Sequence, residues 1–188
     1  SGSSYKWNDS VTLEASANYG YTFVKWTDNG ADAGTATTYS IPIDGNHTVV
    51  AEFEKNSYTV TLEASEGGQA TIDKTTCLYE DQVTVAATAD TGYTFVNWVQ
   101  DGQVVSSDPT YTFTVTADST VKPVFSINSY TISLSSDGNG SVEGAGDYNY
   151  SSTATVTASP NTGYYFVNWT DENGNEVNTS ATFSFTVY

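Results

Sequence analysis

The stretch GYTFVNWVQDG, residues 92–102, decides how this chain is read, because two near-copies of it stand elsewhere. GYTFVKWTDNG begins at Gly20 and GYYFVNWTDENG begins at Gly163, so the three glycines lie 72 and 71 residues apart. The register extends outward from that word. SYTVTLEAS from Ser57 is answered by SYTISLSSD from Ser129, again 72 residues on. Upstream of the glycines stand Val11-Thr12-Leu13, Val83-Thr84-Val85 and Ala154-Thr155-Val156. Downstream stand Tyr39-Ser40-Ile41, Tyr111-Thr112-Phe113 and Phe183-Ser184-Phe185. Four segments in register define an internal repeat, the first feature to settle in any sequence.

Cutting after Asn56 and Asn128 gives 1–56, 57–128 and 129–188. Only the middle copy is whole. The first lacks the counterpart of 57 to about 72, its N-terminal strand, and the third stops before the counterpart of Ala117 to Phe125, its C-terminal strand. A lost strand leaves unpaired N–H and C=O groups on its neighbour. The terminal copies are therefore expected to be partly disordered, or to pair by an edge strand with another molecule.

Within the middle copy, Tyr58, Val60 and Leu62 alternate with Thr59, Thr61 and Glu63, the period of a strand. Glu66-Gly67-Gly68 reads as a hairpin turn into Ala70 and Ile72. Val83 and Val85 continue the alternation, and Gly92 opens the aromatic strand. There period two places Tyr93 and Phe95 on one face and Val96 and Trp98 on the other. Asp101-Gly102, with its counterparts Asn29-Gly30 and Asn173-Gly174, is the residue pair favoured in tight hairpins. Thr110–Val115 and Thr120–Phe125 complete the copy, and no segment has a helical period. The expected fold is all-β: about three small modules of roughly 72 residues in tandem. Each module is marginal in size, and large aromatics bury much area per residue, so the repeated word is read as core.

Charge narrows the function. With 22 acidic residues against 5 basic ones the formal net charge is −17, which disfavours nucleic acid, whose binding needs clustered Lys and Arg. It equally disfavours docking on an anionic membrane surface, and no long apolar run suggests insertion. Cys77 is the only cysteine, so no internal disulfide forms; a lone cysteine is most often a small buried hydrophobe. With no methionine and no export signal, the chain is expected to be a piece of something longer, and Ser1-Gly2 a cloning remnant.

These residues resemble a known family. The G-Y-x-F-x-x-W word, the Asx-Gly turn after it, and an alternating strand ending in Phe53 or Phe125 look like the divergent InlB B-repeat family. They are similar also to the broader Listeria–Bacteroides repeats. The resemblance covers the whole chain, as one complete and two incomplete copies. It implies an acidic, secreted or surface-attached bacterial protein whose repeats serve as stalk, cell-wall spacer or adhesin modules, with a β-grasp-like fold. Nothing between Trp98 and Val115 reads as the helix of a full grasp, so a helix-poor variant or a small sandwich is expected. The family carries no agreed catalytic residues.

A search for chemistry gives little. His47 is the only histidine, its counterpart is Ser119, and a triad or zinc site needs a positioned histidine with partners. In its Asp-Gly-Asn-His turn it reads as a solvated loop residue. The carboxylates Glu14, Asp44, Glu63 and Glu52 align with Ala86, Thr116, Ser135 and Val124, the behaviour of solvating charges. Asp137-Gly138-Asn139-Gly140-Ser141 fails as an EF-hand, having Val142 and Tyr148 where Gly and Glu are required. It fails as a dinucleotide fingerprint because Glu143 replaces the third glycine. A Gly-rich hairpin is the expected role. No catalytic, cofactor-binding or metal residues are assigned, and no cofactor is expected.

The expected function is a non-enzymatic spacer or adhesion segment, extracellular or on the bacterial surface, with a host or surface protein or glycan as partner. The alternatives are an accessory region of a larger secreted enzyme and a carbohydrate-binding module. The latter rests on Trp7, Tyr79 and Tyr150, which share one repeat position and would form an exposed aromatic row.

Overall fold

The computed structural model describes residues 5–188; Ser1-Gly2 lie outside that range. Every regular element in it is a β-strand. The first repeat holds β1 (Ser10–Glu14), β2 (Tyr21–Asp28), β3 (Ala31–Gly34), β4 (Thr38–Pro42) and β5 (Val49–Lys55). The second holds β6 (Ser57–Leu62), β7 (Gly68–Ile72), β8 (Thr76–Leu78) and β9 (Gln82–Ala89), then β10 (Tyr93–Gln100), β11 (Gln103–Ser106), β12 (Thr110–Thr114) and β13 (Ser119–Ile127). The third holds β14 (Ser129–Ile132), β15 (Gly140–Glu143), β16 (Gly146–Asn149) and β17 (Thr153–Pro160), then β18 (Trp169–Thr170), β19 (Glu176–Asn178) and β20 (Thr182–Thr186).

The chain packs into two compact units whose limits fall inside the second repeat. The first comprises residues up to Leu62 together with Ile72–Val85 and Thr112–Val121. In it, β1 pairs with β4, β2 lies between β3 and β5, and β6 lies between β8 and the start of β13. The β6–β13 pair is parallel, Ser119 to Val121 matching Val60 to Leu62. First and last strands of a repeat therefore run side by side in the same direction, as a grasp-like module requires. Its core is Ala15, Trp26, Ile41, Val60, Cys77, Val83, Val85, Phe113, Val115 and Val121. The Cys77 thiol sits among these apolar groups, and burial pushes its pKa up, so it is held as the unreactive thiol.

The second unit comprises Glu63–Thr71, Ala86–Tyr111 and Lys122–Tyr188. There β10 lies between β11 and β13, β17 between β15 and β20, β14 pairs with β16 and β18 with β19. Trp98, Pro123, Ala154, Val156 and Val187 are its most buried side chains.

One device recurs in every copy. The indole N–H donates to a carbonyl in the loop before the next inward strand: Trp26 to Ala36 at 3.0 Å, Trp98 to Pro109 at 3.2 Å and Trp169 to Ser180 at 3.2 Å. Tryptophan suits the site because its body is apolar and its one polar atom finds an acceptor. Cross-strand hydroxyl pairs repeat likewise, Thr12 with Ser40, Thr84 with Thr112 and Thr155 with Ser184. Two of the three Asx-Gly hairpin turns form as expected, and Asn173 does not share their left-handed φ. Asn29 and Gly30 have φ of 49° and 82°, and Asp101 and Gly102 have 48° and 81°, the left-handed pair of a type I′ turn.

Two expectations need correction. Strict alternation set Trp98 on the face opposite Phe95, yet Phe23 touches Trp26, Phe95 touches Trp98 and Phe166 touches Trp169, with centroids 5.5, 5.9 and 5.6 Å apart. In β2 the cause is visible: Phe23 pairs with Phe53 and Lys25 with Glu52, so Val24 is an extra residue. A bulge of this kind turns the following side chains over. Glu66-Gly67-Gly68 does not make a hairpin either, since β6 and β7 belong to different sheets, as do β14 and β15 on either side of Asp137. The glycine-rich segment is a crossover. Gly68 sits under the Phe125 ring and the Thr88 carbonyl, where a Cβ would not fit.

Candidate functional site

Two successive repeats meet through a single residue. Only Asn56 separates β5 from β6, and only Asn128 separates β13 from β14. Each asparagine makes three hydrogen bonds. The Asn56 N–H donates to the Gly20 carbonyl at 2.8 Å, its own carbonyl accepts from the Tyr79 N–H at 2.9 Å, and its side-chain oxygen accepts from Thr22 Oγ1 at 2.6 Å. In the second joint the Asn128 N–H donates to Gly92 at 2.8 Å, its carbonyl accepts from Tyr150 N–H at 2.8 Å, and Thr94 Oγ1 donates to its side chain at 2.7 Å.

Over each joint an aromatic ring closes on a glycine. Tyr79 covers Gly20 and Tyr150 covers Gly92, so closely that a Cβ on either glycine would enter the ring. Both glycines also have φ near +80° (82° and 83°), a conformation that costs an L-residue about 1–2 kcal/mol. The opening glycine of the aromatic word is thus required twice, by backbone and by space. Tyr19 and Tyr21 set their edges against Tyr79 at 5.7 and 5.8 Å, and the Tyr19 hydroxyl reaches the Thr116 carbonyl at 3.2 Å.

The residues proposed as an exposed aromatic row therefore separate. Tyr79 and Tyr150 are half-buried as joint seals, whereas Trp7 is 71% exposed. Gly163, the third copy of the seat, keeps φ +90° with nothing near its Cβ position. Sequence reasoning found the connections at Asn56 and Asn128 short and without Gly or Pro, as suits modules held in a preferred orientation, but missed the ring seals beside them.

His47 is not the solvated loop residue expected. Its Nδ1 lies 2.7 Å from Asp28 Oδ2 and its Nε2 lies 3.1 Å from Asp44 Oδ1, and Tyr39 donates its hydroxyl to the same Asp28 oxygen at 3.2 Å. Both ring nitrogens are committed, which leaves neither free to act as a base on a bound molecule. The second repeat keeps the geometry without charge, Tyr111 donating to Gln100 at 3.4 Å. The Asp28 hydrogen bond raises the imidazole pKa, partial burial opposes it, and Asp44 adds to the rise. A raised folded-state pKa stabilises below the unfolded value of about 6.5 and is lost as pH climbs through the folded value. The stability margin of the native chain over His47→Gln should therefore shrink as pH climbs above about 6.5. Urea melts of both proteins across that rise in pH check it, and a margin that is constant or grows with pH contradicts it.

Asp137 accepts from the N–H and side chain of Asn139, and Asp171 from Asn173 and Asn175. These local bonds hold both carboxyls below their usual range and shape turns. Among the described residues no group of three or more His, Cys, Asp or Glu side chains could hold a metal ion, and no helix is long and apolar enough to cross a membrane.

A tandem of all-β modules joined by one asparagine and one ring-on-glycine seal describes a repeat protein. The sequence model of the divergent InlB B-repeat domain matches residues 1–57, 58–129 and 130–188, and the chain belongs to that family. It is a repeat family of bacterial surface-type proteins. The chain is also 30% identical over 129 residues to a protein of Evansella cellulosilytica named "Putative membrane protein". That match covers 68% of this chain and 19% of the relative, so the chain spans about a fifth of that protein's length. No solved structure matches the chain.

Proposed function

We propose that this chain is a non-enzymatic spacer or adhesion segment of a secreted or cell-surface bacterial protein. The observation that carries the reading is the joint. A connection of one residue with three hydrogen bonds and a ring seal leaves no flexible linker, unlike Gly/Ser coil. Each repeat thereby sets the direction of the next, the nearest-neighbour logic of repeat arrays. High like charge suits such a segment, since it discourages self-association.

Backbone 15N relaxation of the whole chain tests this. Asn56 and Asn128 should show order parameters near 0.85, as in rigid strands. Values below about 0.6 at those two residues would mean independent modules on a hinge and would remove the spacer reading. The carbohydrate-binding alternative keeps one supporting observation, the exposed Trp7 ring. Glycan-array binding lost on Trp7→Ala would favour it over the spacer.

A further inference from the structure

β6 and β13, the first and last strands of the second repeat, lie side by side and run the same way. They overlap only at their inner ends, Val60 to Leu62 of β6 against Ser119 to Val121 of β13. β6 begins at Ser57, directly after Asn56, and β13 ends at Ile127, directly before Asn128. Tension along the chain therefore enters at the outer end of one strand and leaves at the outer end of the other. The two strands form a lap joint, and such a pull acts on it as shear.

Four observations make the lap strong in that direction. Hydrogen bonds of a parallel pair are evenly spaced, so a pull along the strands loads them together, whereas peeling one end loads them one at a time. The Thr59 N–H donates to Asp118 Oδ1 at 2.7 Å, a charge-assisted bond that ties the two segments beside the lap. Val60 and Val121 are 0% exposed. The lap thus lies against the core, where hydrogen bonds are stronger than in water and water is kept from replacing them. β6 is also gripped on its other side: Ser57, Tyr58 and Thr59 pair with Leu78, Cys77 and Thr76, and the Val60 N–H donates to the Thr75 carbonyl at 2.8 Å.

We infer that the second repeat bears tension, with the β6–β13 lap as the element that must break before the repeat can lengthen. This rests on the spacer reading, since a segment held between a surface and whatever it presents is the one that is pulled. While the lap holds, residues 63–118 lie outside the line of force. Its rupture releases them, roughly 180–200 Å of extended chain at about 3.3–3.6 Å per residue. Forced unfolding is governed by the unfolding rate rather than by equilibrium stability. A module of marginal size is therefore able to resist a pull along this axis better than its melting in urea would suggest.

Optical-tweezer pulling on the whole chain tests this through two pairs of attachment points, all at exposed residues. Handles on Ser57→Cys and Ser126→Cys load the lap in shear. Handles on Ser57→Cys and Ala117→Cys pull the same ends of both strands and peel it. The native Cys77 is buried and takes no handle. At one loading rate the shear pair should unfold at a force at least twofold above that of the peeling pair. Asp118→Ala, which removes the tie to Thr59, should lower the shear force. Equal forces in the two directions, a weaker shear direction, or a shear force unmoved by Asp118→Ala overturns the proposal. Hinged joints at Asn56 and Asn128 with a directional force would remove the spacer reading and leave the lap. Rigid joints with equal forces would do the reverse.

Discussion

Trp98→Ala should destabilise the second repeat by about 3–5 kcal/mol. Trp98 is 0% exposed, rests against Phe95, and ties its indole to the Pro109 carbonyl. Removing it leaves a cavity and an unpaired carbonyl, and both terms act in the same direction. Small modules have little reserve against a loss of that size. Trp7→Ala is the control: at 71% exposure it should stay within about 0.5 kcal/mol of the native chain. Urea unfolding followed by circular dichroism measures both. Similar midpoints for the two variants would mean that Trp98 is not a core residue.

Gly92→Ala should cost about 2–5 kcal/mol, the sum of left-handed backbone strain and overpacking beneath Tyr150. Gly163→Ala offers an internal comparison, because it has a similar φ of +90° and open space above it. It should cost only the strain, about 1–2 kcal/mol. The difference between the two variants isolates the ring seat. If both substitutions cost the same, Tyr150 does not press on the glycine and the joint is looser than described.

Much of this architecture was legible in the sequence because the repeat wrote it three times. Alternation in Tyr58, Val60 and Leu62 marked β6, the Asx-Gly pairs marked two hairpins that form, and Cys77 reads correctly as a small buried group. The misreadings have physical causes. A bulge such as Val24 adds a residue without any glycine or proline to announce it, so period two ran through it and placed Trp98 on the wrong face. Thr76–Leu78 and Gln103–Ser106 are short strands of three and four residues, too brief for a periodic signal. The crossover after Glu66 used the same glycines as a hairpin would. His47 was misjudged because Asp28, its main partner, is 19 residues away. The ring seals escaped for a similar reason: Asn56 and Tyr79, or Asn128 and Tyr150, meet across 23 or 22 residues. Their shared column of aromatics also offered a binding row, behind the core reading.

The most direct measurement of the central claim is 19F NMR of the chain labelled with 5-fluorotryptophan, titrated with a soluble paramagnetic agent. Its four tryptophans give four resonances, assigned by conservative Trp→Phe replacement. Trp26 and Trp98, at 6% and 0% exposure, should keep their signals while Trp7 is bleached, with half-buried Trp169 between them. If Trp26 and Trp98 bleach together with Trp7, the repeated aromatic word faces solvent, and a ligand-gathering surface replaces the scaffold.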